Sequence, residues 1–335
     1  DPLMRARLLA IFLSAALLSA AALVAGCGGA PPQGAPDPLN YRLKWLFNVS
    51  VVGDLYAETE GLFAAEGLQV TVKAGGPEKD AIKELELGHV QFGVASADQV
   101  IRALAKGSPV VVIAQLFQQN PLQWIYRPDR NRFDSPADFR GKTVGVTFGG
   151  NDETIMKALM ADSGLSEDDL TLFSVRYDYT PFYEGRVDLW PVYRNAQGVI
   201  IGDKLRHAGE AAAFFDPAAA GVRFVANSVV TTRAILEEHP QTVQKFLNAL
   251  LEGWRRALDP ANAERVLTMI QEHDRDTAPP LLRAQLEITR RLVRPGAETR
   301  IGWIDAAAWQ QTEEIMLAQN LIPAAVNVTA SLVSP

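Results

Sequence analysis

The sequence predicts an α/β protein of two lobes followed by a helical C-terminal region. Three observations carry that reading. Strand-like apolar runs alternate with helix-like segments from about residue 41 to residue 227. The chain has 335 residues, more than one small domain needs and enough for two. From about residue 228 the apolar positions fall into helical spacing.

Taken in order, the chain opens on Arg5 and Arg7, followed by a nearly all-apolar run over 8–22 and then Val24-Ala25-Gly26-Cys27. Basic start, apolar middle and small residues at the end predict a secretory signal peptide over 1–26. The ending resembles the bacterial lipoprotein box, which implies a lipid on Cys27. The chain is then anchored through that lipid in the cell envelope, facing the periplasm or the outside. Residues 28–38 are Gly, Pro, Ala and Gln with one Asp and almost no apolar bulk, so 27–40 is expected to be a tether.

The first lobe is expected over 41–123. It reads as strand 41–47, helix 54–66 stopped by Gly67, strand 68–73, helix 80–87, strand 90–95, helix 97–105 and strand 110–117. The last of these is the all-apolar, β-branched run of a buried parallel strand. The second lobe is expected over 124–227, with strands at 124–127, 143–147 and 170–175 and a helix at 152–162. Thr180-Pro181 opens a short helix, and 223–227 reads as the strand leading back. Residues 228–335 return to lobe 1. There Val243, Phe246, Leu247, Leu250, Leu251 and Trp254 form a wide apolar stripe, the mark of a core-packing helix. Further helices are expected at 264–272, 281–292 and 305–319.

Composition removes several functions. Hydrophobic residues at 48% and charged residues at 21% exclude general disorder. A formal charge of −7 disfavours nucleic acid as a partner. A single Cys allows no intramolecular disulfide and no Cys-built zinc or iron–sulfur site. His89, His207, His239 and His273 are scattered, and no metal or cofactor is expected.

Several stretches resemble a known family. These are Glu60-Gly61-Leu62-Phe63 with Glu66-Gly67-Leu68, then Gly88, Phe92-Gly93-Val94 and Ser96-Ala97-Asp98-Gln99. The long segment from Phe133 through Val146 continues the match. They are similar to the sulfonate, nitrate and thiamine-precursor binders of ABC importers, with the type II periplasmic-binding-protein fold. Phe148-Gly149-Gly150-Asn151-Asp152, Tyr177-Asp178 and Trp190-Pro191-Val192-Tyr193 resemble, more narrowly, the subgroup that binds a thiamine-precursor pyrimidine or riboflavin. The resemblance implies two lobes with a ligand cleft between them and delivery of the ligand to an ABC permease.

A planar heteroaromatic ligand needs aromatic plates and polar groups at its edges. Trp45 is a candidate plate on one lobe, and Trp190 with Tyr193 on the other; core packing is the competing role for each Trp. Stacking supplies about 1–3 kcal/mol per ring. Micromolar binding needs about 8 kcal/mol, so edge hydrogen bonds and lobe closure supply the rest. Ser96 and Asp98 lie where α/β sheets bind ligands, or cap the next helix. Asn48 and Gln118 occupy similar strand ends. Gly149, Gly150 and Asn151 form either a backbone cradle for oxygens or an ordinary capped turn. Tyr177 and Asp178 are a loop pair whose carboxylate accepts from a ring amino group or caps the helix at Thr180.

The expected function is that of an importer's substrate-binding lipoprotein, a monomer, capturing a thiamine-precursor pyrimidine. Riboflavin is the close alternative, and sulfonate or nitrate comes third. The alternative of another class is the related pyrimidine-precursor synthase. That family carries a Cys-rich iron site, which the lone Cys27 does not match, so no enzyme is expected.

Overall fold

A computed structural model describes residues 37–76 and 78–334. The expected signal peptide, Cys27 and the tether up to residue 36 lie outside the described residues. The strands are β1 (Pro38–Arg42), β2 (Gln69–Lys73), β3 (Phe92–Ala95), β4 (Val110–Gln115), β5 (Leu122–Tyr126), β6 (Thr143–Val146), β7 (Thr171–Ser174), β8 (Trp190–Tyr193), β9 (Ala213–Phe215) and β10 (Ser228–Thr232). The helices of the first lobe are α1 (Val52–Thr59), α2 (Leu62–Ala65), α3 (Ala81–Glu86) and α4 (Ala97–Ala105). Those of the second are α5 (Asn151–Asp162), α6 (Thr180–Tyr183) and α7 (Gln197–His207). The C-terminal helices are α8 (Arg233–Glu238), α9 (Pro240–Ala257), α10 (Ala263–Gln271), α11 (Pro279–Val293) and α12 (Ala306–Ala318).

The first sheet has the order β2-β1-β3-β10-β4. β1 is parallel to β2 and β3, while β10 is antiparallel to both its neighbours. In the second lobe the order β8-β5-β9 joins the parallel pair β6-β7 through a bridge between Val144 and Leu189. The full order is therefore β7-β6-β8-β5-β9, the same as in the first sheet, with β5 standing where β10 stands. Each sheet takes its antiparallel strand from a chain segment that has just crossed between lobes.

The two crossovers, 116–121 and 216–227, run side by side. Leu116 N–H donates to the Asn227 carbonyl at 3.1 Å, and Asn120 Nδ2 donates to the Phe224 carbonyl at 2.8 Å.

Several elements differ from the sequence expectation. The first strand begins at Pro38, inside the expected tether, and ends at Arg42 rather than 47. Pro38 is tolerated because it is the first strand residue, and the β3 neighbour joins only from Tyr41. The helix expected over 54–66 breaks into α1 and α2 at Gly61, whose φ of +69° a side chain rarely adopts. Residues 223–227 make no ladder; the return strand is Ser228–Thr232, all buried, at the start of the region expected to be helical. Helix begins only after it, with Thr232 Oγ1 accepting from Ile235 N at 3.2 Å as the cap.

The stripe of α9 packs as its spacing predicts. Val243, Phe246, Leu247, Leu250 and Trp254 are buried in the first core beside Tyr41, Phe63 and Phe92. Phe92 and Phe246 stack with centroids 3.7 Å apart. The approach of α1 to α9 needs Gly53, because a Cβ there would lie 2.0 Å from the Trp254 indole. α10 and α11 also bury their apolar faces in this core. α12 differs: it packs on α4 of the first lobe and on α5 of the second. Trp309 of α12 shares a second core with Ile101, Trp124 and Ile155. No helix among the described residues is long and apolar enough to cross a membrane.

Candidate ligand cleft

The loops that follow β1, β3, β6 and β8 meet at the junction between lobes, where open α/β sheets bind ligands. Side chains tie the lobes together there. Asn151 Nδ2, at the start of α5, donates to Asp98 Oδ1 in the first turn of α4 at 3.0 Å. Asn195, two residues beyond β8, donates from Nδ2 to Ser50 Oγ at 3.1 Å and to Thr289 Oγ1 at 2.9 Å. Gln285 Nε2 reaches the Ala196 carbonyl at 3.3 Å. Ser50 lies in the β1–α1 loop that carries Trp45 and Asn48.

Of the two roles considered for Ser96 and Asp98, the contacts present are the helix cap and a bond between lobes. Gln99 Oε1 accepts from Ser96 N at 3.0 Å, so Ser96 caps α4. The Ser96 hydroxyl donates to Asp98 Oδ1, which orients the carboxylate toward Asn151. Trp45 and Tyr193 are 47% and 45% exposed, far more than interior packing allows. The first stands five residues before Ser50 and the second two before Asn195, so the Ser50–Asn195 bond brings both segments to one junction.

Trp190 departs from its expected place. It is 1% exposed, with Tyr179, Phe173 and Phe182 at 6.0, 6.2 and 6.3 Å in the core of the second lobe. The pleat explains this: Trp190 and Val192 point inward, so Tyr193, three residues on, points the other way. Trp190 and Tyr193 do not form one plate.

The glycine turn is no open cradle. Gly149 adopts φ +82°. Its N–H donates to Glu153 Oε2 at 2.7 Å, the Gly150 N–H to the Thr147 carbonyl at 2.9 Å, and the Thr147 N–H to Asp152 Oδ2 at 2.7 Å. Two of the protein's own carboxylates thus fill the place an anion would take. Burial pushes the Asp152 carboxyl up, and the Thr147 N–H opposes that shift.

The remaining candidates are committed locally. Asn48 Oδ1 caps its own turn by accepting from Ser50 N at 2.8 Å. Gln118 Nε2 donates to the Gln115 and Trp303 carbonyls at 3.0 and 2.8 Å. Asp178 Oδ1 accepts from Thr180 N at 3.0 Å, the capping role, and Thr180 holds its carboxyl below the usual range. Tyr177 is 98% exposed and not gathered with the others.

Asn195, Ser50 and Thr289 are absent from the sequence candidates. The signal for Asn195 is a polar residue just past a strand end. Ser50 and Thr289 had none, because the lobes alone bring them together.

A cavity of about 200 Å³ lies at the crossovers, lined by Phe117, Gln118, Asp216, Phe224, Ile155 and Asp305 among others. It sits apart from the Trp45 and Asn195 junction, and of the sequence candidates only Gln118 borders it. Burial raises the Asp216 carboxyl. No group of three or more His, Cys, Asp or Glu among the described residues is arranged to hold a metal ion.

The family profile described as NMT1/THI5 like matches residues 48–263, well over half of the chain. The chain belongs to the NMT1/THI5-like family. Within reach of that family, it is 25% identical over 329 residues to the riboflavin-binding protein RibY of Chloroflexus aurantiacus, covering 89% of this chain and 88% of that one. It is 26% identical over 314 residues to a formylaminopyrimidine-binding protein of Halalkalibacterium halodurans, covering 88% and 93%. A 4-amino-5-hydroxymethyl-2-methylpyrimidine phosphate synthase of Saccharomyces cerevisiae is 22% identical over 238 residues, covering 68% and 69%. Among solved structures, the periplasmic aliphatic sulphonate binding protein SsuA of Escherichia coli superposes with a TM-score of 0.70 at 16% identity, covering 90% and 93%. The fold is therefore that of the periplasmic binding proteins, as the sequence motifs implied.

Proposed function

We propose that this member of the NMT1/THI5-like family is the substrate-binding component of an ABC importer and captures a neutral, N–H-bearing heteroaromatic ligand, a pyrimidine of the thiamine-precursor kind. The observation that carries the reading is the filled turn at Gly149. Asp152 and Glu153 occupy N–H groups that would otherwise be open to an anion, and Trp45 and Tyr193 are exposed on the two segments that the Ser50–Asn195 bond joins. Carboxylates held at that turn disfavour an anionic ligand, and exposed ring faces favour a planar one.

The binding-protein relatives support capture over catalysis, and their coverage of nearly the whole chain supports a like role. Riboflavin is the second reading, favoured by the match to the flavin binder over 89% of this chain. The importer reading carries with it a permease partner, a monomeric state, an extracytoplasmic location and a lipid on Cys27.

Mass analysis of the small molecule that stays bound through gentle purification tests the reading. A pyrimidine or flavin is expected. A retained sulfonate, or turnover of a bound pyrimidine into a phosphorylated product, contradicts it.

A further inference from the structure

Among the described residues, three buried side-chain polar atoms have no partner: Ser108 Oγ, Trp254 Nε1 and Asn195 Oδ1. The first two lie within the first lobe. The third sits at the junction of the lobes, on a residue that is 0% exposed.

The Asn195 amide donates from Nδ2 to two hydroxyl neighbours, Ser50 and Thr289. Thr289 Oγ1 spends its proton on the Gln285 carbonyl at 2.8 Å. Toward Asn195 it accepts, and the NH₂ end faces Thr289 and Ser50. The carbonyl end is left with no donor. A buried acceptor without a donor is costly, and native proteins keep few of them. This one is kept on the segment that carries Tyr193, bonded to the loop that carries Trp45.

We infer that Asn195 is a specificity-determining residue of the cleft: when the lobes close over a ligand, its side-chain carbonyl accepts an N–H of the ring. The inference rests on the heteroaromatic reading and narrows it to rings with an edge N–H donor. Exocyclic amines of aminopyrimidines and the imide N–H of a flavin both qualify. Rings with only acceptors on that edge leave the carbonyl unpaired and are rejected.

The test compares matched pairs on the full chain in detergent. The first pair is 4-amino-5-hydroxymethyl-2-methylpyrimidine and the same ring without its amino group. The second is riboflavin and its N3-methyl derivative. The wild type should prefer the N–H-bearing member of whichever pair it binds by about tenfold or more, since a site built on a hydrogen bond penalises the ligand that lacks it. Asn195→Leu should bring that preference to within about twofold while the protein stays folded by circular dichroism. A preference that survives in Asn195→Leu overturns the inference and leaves the heteroaromatic reading standing. Binding of neither pair by the wild type removes both.

Should Asn195→Leu fail to fold, Thr289→Val leaves Asn195 in place and releases its amide to turn. The preference should then fall by about threefold or more. An unchanged preference overturns the inference equally.

Discussion

Asn151 Nδ2 donates to Asp98 Oδ1 at 3.0 Å and so joins the first turns of two helices from different lobes. The carboxylate is 9% exposed and also holds the Ser96 hydroxyl. Replacing Asp98 by Ala should therefore loosen closure as well as unpair Ser96. We expect Asp98→Ala and Asn151→Ala each to weaken ligand binding by about threefold to tenfold, the worth of one hydrogen bond. The unliganded variants should also show a larger radius of gyration in small-angle X-ray scattering. Unchanged scattering and affinity in both would mean that the bond contributes nothing to closure.

Trp45 and Trp190 should separate affinity from stability. Trp45 is half-exposed at the junction, so Trp45→Ala should cost about 1–3 kcal/mol of binding with little change in melting temperature. Trp190 is packed among Phe173, Tyr179 and Phe182, so Trp190→Ala should cost about 3–5 kcal/mol of folding stability. Calorimetric titration beside denaturant unfolding checks both. The reverse pattern would place the stacking surface on Trp190.

These two residues mark how far the sequence was legible. α4 was readable because Ser96 caps it and Gly107, at φ +82°, stops it. α9 was readable from its stripe. The stretch from 190 to 215 was not. β8 contains Pro191, β9 has three residues, and α7 carries Gly198 and Gly202, so none shows a strong period. β10 is hard to tell from the helices after it because all five residues are buried and show no alternation. Within the site, strand-end positions were legible as a class. Which of them would spend their polar groups on caps, as Asn48 and Asp178 do, depends on backbone geometry that the sequence does not report. The pleat sends residues three apart, such as Trp190 and Tyr193, to opposite faces, so the two cannot form one plate.

Asp54 should give the protein a measurable pH dependence. It is buried in the first core, and burial pushes its carboxyl from the ordinary 3.8 up to about 7, against the Tyr41 hydroxyl donating at 2.6 Å. Between those values the folded state holds a proton that the unfolded chain has released. Stability should therefore fall as pH rises from about 4 to about 7, by at most about 1.4 kcal/mol per pH unit, and level off above. Asp54→Asn keeps an oxygen for Tyr41 and should flatten that slope. An equal slope in the variant would assign the titration to another group.

The most direct measurement is calorimetric titration of the purified full chain with 4-amino-5-hydroxymethyl-2-methylpyrimidine, riboflavin and an alkanesulfonate at the same salt concentration. The account predicts saturable heat with a ring ligand, at micromolar affinity or tighter, and none with the sulfonate. Saturable binding of the sulfonate, with no response to either ring, would contradict it.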